Sequence, residues 1–377
     1  MANQLNGLFP ILYRALQKIS RELVGAIPSC LVDMTAERAA EGQVVRVPVT
    51  PPAENEDIRI GTPPTATGDD IGYIDVEITK FRIGKPIVWN GEEEKALGSI
   101  KAGVLQNQIE QRMRSLVNEM ESDTCFEAVT GAGGGVWGAA GTTPFAGDDL
   151  EDIAELVRIH NEIGSPQSER QLVVNTKSAA KLRNKGVLFR VNEAGTAELL
   201  RQGIIGRLEG FDIRESGGFR RFNPTGTGYR ANGAYPVGSD DIIIDTGSGA
   251  IKKGSIVTFG TDPTKYIVAK DFDGSAGHLK LAFGLTTALT TGTAMAIGAA
   301  YLPNVALTRD AVVFAARTPY MPEGGDEALD VTEISDAVSG LSFQVAYYGR
   351  YRQKVIEIGA AWGVKTVNPR HSVILLG

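Results

Sequence analysis

Cysteine is scarce in this chain: Cys30 and Cys125 are the only two in 377 residues. Two thiols cannot staple a fold of this size, which excludes a disulfide scaffold and points to a reduced, intracellular protein. Histidine is nearly missing as well. His160, His278 and His371 stand far apart and match no metal-ligand spacing. Positive charge is not in excess, since 38 Lys and Arg face 45 Asp and Glu for a formal net charge of −7. A nucleic-acid-binding surface would need clustered cations. Long apolar runs are absent too. The most apolar stretch, 294–302, falls far short of the roughly 20 residues that span a bilayer. Arg14, Lys18 and Arg21 interrupt the N-terminal apolar positions, so no secretion signal is visible. What remains is a soluble globular composition, 42% hydrophobic and 22% charged, with length for two or three packed units.

The patterning divides the chain. Leu8, Leu12, Leu16, Ile19 and Leu23 predict an amphipathic helix over 5–27, ended at Pro28. Its apolar stripe must cover its own core or a neighbouring subunit. Val45, Val47 and Val49 alternate with polar residues, as do Ile74, Val76 and Ile78, and then Phe81 and Ile83. Period two means strands with one buried face. Between the runs lies an acidic, proline-rich stretch with Pro51, Pro52, Glu54, Glu56, Asp57, Pro63, Pro64, Asp69 and Asp70. The expectation is a long two-stranded arm over 43–89 with an irregular tip, which needs a partner because an isolated hairpin is marginal in water. Ile100, Val104, Leu105, Ile109, Met113, Leu116, Val117 and Met120 recur at three- and four-residue steps. They predict one long helix over 91–130, with Glu92, Glu93 and Glu94 in its first turn. Further helices are expected at 149–163, 177–184 and 193–202, and strands at 171–175 and 210–214. From 223 to 305 the texture turns all-β. Strands are expected at 235–237, 241–245, 255–259, 266–269, 279–283 and 294–297, as in a small barrel or sandwich. The last segment returns to strands at 305–315, 342–348, 354–361 and 372–376.

Catalytic motifs do not emerge. Gly133, Gly135 and Gly138 match G-x-G-x-x-G, but a dinucleotide fingerprint needs a strand before and a helix after it. Here a long helix precedes, so a flexible surface loop is expected. Asp245-Thr246-Gly247-Ser248 resembles the active-site turn of aspartic proteases. That chemistry needs two carboxylates sharing a proton, and the second could come only from a symmetric dimer. A hairpin turn explains the same residues. Arg220-Arg221 and Arg350-Tyr351-Arg352 are small basic spots of the kind found on solvated faces or in subunit salt bridges. No residue is singled out as catalytic, cofactor-binding or metal-binding, and no enzymatic activity or cofactor is expected.

The order of these elements resembles the tailed-bacteriophage major capsid fold of the Hong Kong 97 type. Two phrases carry it locally: Gln171-Leu-Val-Val-Asn-Thr-Lys-Ser-Ala-Ala-Lys-Leu-Arg183 and Gly206-Arg-Leu-Glu-Gly-Phe-Asp-Ile-Arg214. Ala306-Leu-Thr-Arg-Asp-Ala-Val-Val-Phe314, Ser342-Phe-Gln-Val-Ala346, Tyr351-Arg-Gln353 and Ala361-Trp-Gly-Val-Lys365 are similar to coats of the short-tailed Salmonella-phage type. Those coats carry an extra β-barrel inserted in the axial domain.

The resemblance implies an α+β fold with an N-terminal arm (1–42), an extended loop (43–89), and a spine helix with peripheral domain (90–190). It also implies an axial domain (191–222 and 306–377) with an inserted barrel at 223–305. It implies a virion shell protein, assembled in the bacterial cytoplasm as pentamers and hexamers, enclosing DNA through a precursor shell that expands on maturation. A portal is a partner, a decoration protein is allowed, and no membrane is involved. Some relatives carry a fused scaffolding segment. Only 42 residues precede the extended loop here, so a separate scaffolding protein and no N-terminal cleavage are expected. Two rival readings are a bacterial nanocompartment shell protein, which lacks the β-insertion, and a homodimeric aspartic protease using Asp245.

Overall fold

A computed structural model describes residues 9–19, 24–33, 38–49, 60, 71–147, 150–185, 206–274, 276–322, 326–335 and 341–377. Among the described residues it is an α+β structure with five helices, named α1 to α5 here, and several β-sheets. The helix expected at 193–202 and the proline-rich arm tip lie outside the described residues.

Helix α1 spans Phe9–Ile19, and Ile27–Ser29 forms a 3-10 turn, so the described helix is shorter than the 5–27 expected. Pro28 sits inside that turn, where its fixed φ is tolerated but a continuing α-helix is not. The stripe at Leu12, Ala15 and Leu16 is buried in this chain's own core, beside the long helix. The expected 91–130 helix is divided. Helix α2 covers Gly91–Leu97 and α3 covers Lys101–Thr130, separated by a 3-10 turn at Gly98–Ile100. Gly98, at φ 49°, breaks the helix, because only glycine enters that region freely. Gly103 does not interrupt α3. Asn90 and Glu93 form a capping box that starts α2. At 1.5 Å per residue α3 is a rod of about 45 Å. Its positions Leu105, Ile109, Met113, Leu116, Val117 and Met120 are all buried.

The sheet beneath α3 runs Leu31–Asp33, Val312–Pro319, Gln353–Thr366, Ser342–Arg350, Ala328–Ser335. The 14-residue strand Gln353–Thr366 also pairs with Lys80–Ile83 and Ile87–Asn90. Residues 80–90 therefore belong to this sheet and not to the arm. Phe81 and Ile83 alternate as an arm strand would, and the period alone cannot say which partner they take. Trp362 is fully buried and donates its indole N–H to Asp123 Oδ2 of α3 at 3.2 Å.

A second sheet runs Gly135–Trp137, Ser372–Leu375, Asn304–Thr308, Arg170–Asn175, Phe211–Ser216, Arg207–Leu208. Helices α4 (Glu151–Glu162) and α5 (Thr176–Arg183) pack on it. The expected boundaries at 190 and 306 cut across these layers. Strand 170–175 lies with 304–308 and 372–375, whereas Val312–Pro319, Ser342–Arg350 and Gln353–Thr366 lie with the spine helix α3. The continuous strand expected at 305–315 is two strands in two sheets, divided at exposed Arg309 and Asp310.

Between 229 and 297 two three-stranded sheets enclose one core. One is Arg230–Ala231, Asp241–Asp245, Gly277–Lys280, and the other Tyr266–Ile267, Ile256–Phe259, Met295–Ile297. Single bridges at Arg230–Ala294 and Val268–Leu281 join them. The strand at 230–231 was not visible in the pattern, and 235–237 contributes only a bridge from Tyr235 to Leu289. The segments entering and leaving this unit meet. Phe222 bridges Tyr301, their rings stack at 5.2 Å, and Phe126 of α3 stacks on Phe222 at 5.8 Å. No described helix is long and apolar enough to cross a membrane.

Candidate functional site

The glycine and Asp-Thr-Gly motifs singled out in the sequence are accounted for by packing. Gly134 and Gly138 sit where a Cβ would lie 2.4 Å from Arg370 O and 3.0 Å from Leu376 O. The glycine run is thus a close-packed segment, with Gly135–Trp137 paired to Ser372–Leu375, and not the flexible loop expected. Asp245 ends a strand opposite Arg230. Its turn is closed by Thr227 and Ser248, which exchange two 3.0 Å backbone hydrogen bonds. A Cβ at Gly247 would stand 2.1 Å from the Tyr229 ring, so the Asp-Thr-Gly phrase is what this hairpin requires. The three histidines stay apart: His278 meets Asp241 at 3.0 Å, His371 meets Asp310 at 3.3 Å, and His160 is buried. Among the described residues no group of three or more His, Cys, Asp or Glu could hold a metal ion. Cys30 and Cys125 are free and buried, and burial pushes both thiols above their ordinary range.

His160 packs edge-on against Phe211 at 5.4 Å and shares a 3.0 Å hydrogen bond with Ser165. Burial, helped by Arg170, pushes its pKa down to about 4. The unfolded chain holds a proton there up to about pH 6.5, so between those values it binds more protons than the folded one. Stability is full above about pH 6.5 and falls as pH drops toward 4, by about 2–3 kcal/mol. His160→Gln should flatten that part of the curve in denaturant titrations at pH 7 and 4.5. Equal pH slopes for the two proteins would count against it.

Two features stand apart from these motifs. The first is the hairpin of Val44–Val49 and Gly72–Glu77, whose strands pair only with each other among the described residues. No residue of Val44–Val49 is fully buried. Val45, Val47, Val49 and Ile74 lie half-buried over Val313, Ala315 and Ala361, while Val44, Ile71 and Tyr73 stay exposed. The base is fixed tightly. Gly363 lets Glu77 approach so closely that a Cβ there would lie 2.1 Å from its carbonyl oxygen, and Lys365 Nζ donates to Asp75 O at 2.8 Å.

The second is a buried carboxylate on α3. Glu121, 3% exposed, accepts from the backbone N–H of Gly25 (2.8 Å), Ala26 (2.7 Å) and Ile27 (3.1 Å), and from Ser216 Oγ (2.5 Å). One side chain thus ties the N-terminal segment, the spine helix and the second sheet together. Burial raises its pKa, opposed by these four donors. Gly25 is needed here, since a Cβ would stand 2.5 Å from Glu215 O. Sequence reasoning missed Glu121. The available signal was an acid next to Met120 and four residues after Val117, on an otherwise apolar stripe.

No protein-family model matches the sequence, and no curated protein sequence matches it. Solved structures are similar over nearly the full length. One is titled Mycobacterium phage Che8, at 15% identity and TM-score 0.47, covering 91% of this chain and 92% of that one. A second is the mature capsid of bacteriophage PhiM1, at 12% identity and TM-score 0.46, covering 93% and 85%. A third is a virus-like particle from Pyrococcus furiosus, at 13% identity and TM-score 0.41, covering 96% of each chain. The functional reading rests on this chain's own geometry.

Proposed function

We propose that this chain is a shell-forming major coat protein of the tailed-phage capsid type. The observation that carries the reading is the two-stranded arm. It pairs with no third strand among the described residues and keeps one face bare. Free strand edges are a liability that proteins cover, and a neighbouring copy is the cover that a closed shell supplies to every subunit. The long helix α3 and the acidic arm residues named above suit the same role. Subunits group as pentamers and hexamers and form a precursor shell on a separate scaffolding protein. The shell encloses double-stranded DNA at a portal vertex and expands on filling. The net charge of −7 suits a wall that must not adhere to that DNA.

Electron microscopy of the expressed chain, with and without its scaffold, tests this. Closed shells are expected from the full chain. A variant with residues 46–75 replaced by a short turn is expected to keep its thermal unfolding transition and form no shells. Shells from that variant, or none from the full chain under either condition, would overturn the reading.

A further inference from the structure

The sheet under the spine helix ends in an exposed, strained turn. Strands Ser342–Arg350 and Gln353–Thr366 are joined by Tyr351 and Arg352 alone, because Arg350 pairs directly with Gln353. Turns of this length take Gly or Asn where φ is positive. Here Arg352 stands at φ 55°, a conformation that side chains other than Asn adopt only at a cost. Tyr351 is 91% exposed, and Arg350 and Arg352 are exposed beside it. Retained strain at an exposed aromatic tip argues from the outlier to a use.

The same end of the sheet carries the opposite charge. Gln353 pairs with Asn90, the residue that caps α2, so the turn and the start of α2 emerge together. Glu93 is occupied by the capping box, and Glu94 by Lys101 at 3.0 Å and Lys354 at 3.4 Å. Glu92 is exposed and, among the described residues, forms no ion pair, and neither do Arg350 and Arg352. Two cations and an anion that form no ion pair among the described residues, brought to one end of the sheet by the Asn90–Gln353 pairing, make a self-complementary patch with the exposed tyrosine.

We propose that this end of the sheet is a contact between copies of the chain. Arg350 and Arg352 of one copy meet Glu92 of the next, with Tyr351 packed between them. The inference rests on the shell reading and names a contact that the shell would use. A nucleic acid is the less suited partner, because the Asn90–Gln353 pairing brings the acidic first turn of α2 to the same end of the sheet, where it disfavours phosphate.

The test uses the full chain and the variants R352E, E92K, R352E/E92K and R352G, read by sedimentation and electron microscopy. R352E and E92K alone should each lower shell yield by about tenfold or more, since each sets like charges together. The pair R352E/E92K should recover most of it. R352G should raise Tm by about 1–2 °C, by relieving the turn, yet still lower the yield, which a purely structural role would not do. Wild-type yield from both single variants, or no recovery in the pair, overturns the contact. So does a loss confined to retention of duplex DNA. If the wild type makes no shells, the shell reading fails. The contact is then decided by whether low-salt self-association of the wild type is lost in R352E.

Discussion

Glu121→Ala is expected to cost about 3–5 kcal/mol of folding stability, the range for breaking a buried charged group's network. The substitution leaves the N–H groups of Gly25, Ala26 and Ile27 and the Ser216 hydroxyl without their acceptor. Each orphaned donor costs about 1–3 kcal/mol when buried, and the sum is less than additive. Water softens the loss, because Glu121 also borders a cavity of about 640 Å³ lined by Arg114, Asn118 and Phe219. Glu121→Gln keeps the shape but turns one acceptor into a donor facing backbone N–H groups. It should cost about 1–3 kcal/mol. Denaturant titration gives both values, and hydrogen exchange at Gly25–Ile27 locates the effect. An alanine variant within about 0.5 kcal/mol of the parent, the range of neutral surface changes, would show that the carboxylate does not hold the N-terminal segment.

Gly363→Ala is the second large effect. The added Cβ would meet Glu77 O at 2.1 Å, its carbonyl carbon at 2.9 Å and Ile78 Cα at 3.1 Å. These are backbone atoms and cannot rotate away, so the base of the hairpin must move off the sheet. Overpacking of this kind costs about 1–3 kcal/mol. The displacement then grows along strands of six residues, about 20 Å long. Shell assembly should therefore fall further than the loss of stability alone explains. Gly103→Ala is the control. It lies inside α3 with nothing within 4 Å of its Cβ, and it should be neutral or stabilise by up to about 1 kcal/mol. Equal assembly from both variants at equal Tm would remove the link between Gly363 and arm placement.

Much of this was legible in the chain. The period of 3.6 from Leu105 to Met120 located the spine helix, and the period of two at Val45, Val47 and Val49 located the arm. Periodicity reports which face of an element is buried, so it holds wherever the local pattern and the tertiary partner agree. Strand 241–245 was placed residue for residue for that reason. The split of 305–315 was hidden because both halves are buried on both faces, leaving no alternation to interrupt. The break at Gly98 was not legible in the helical period. Glycine inside a helical pattern is ambiguous until its backbone conformation is known.

The sequence by itself determined the buried stripe of the spine helix, the alternating strands of the arm, the low cation content and the scarcity of thiols. Local composition and period suffice for these. Only the tertiary structure decided that α1 lies on its own spine helix, that residues 80–90 leave the arm for the sheet, and that strands from 170, 304 and 372 share one layer. These are choices among partners far apart in the chain. They turn on single close approaches, such as Gly363 to Glu77 and Glu121 to Gly25, which no local pattern encodes.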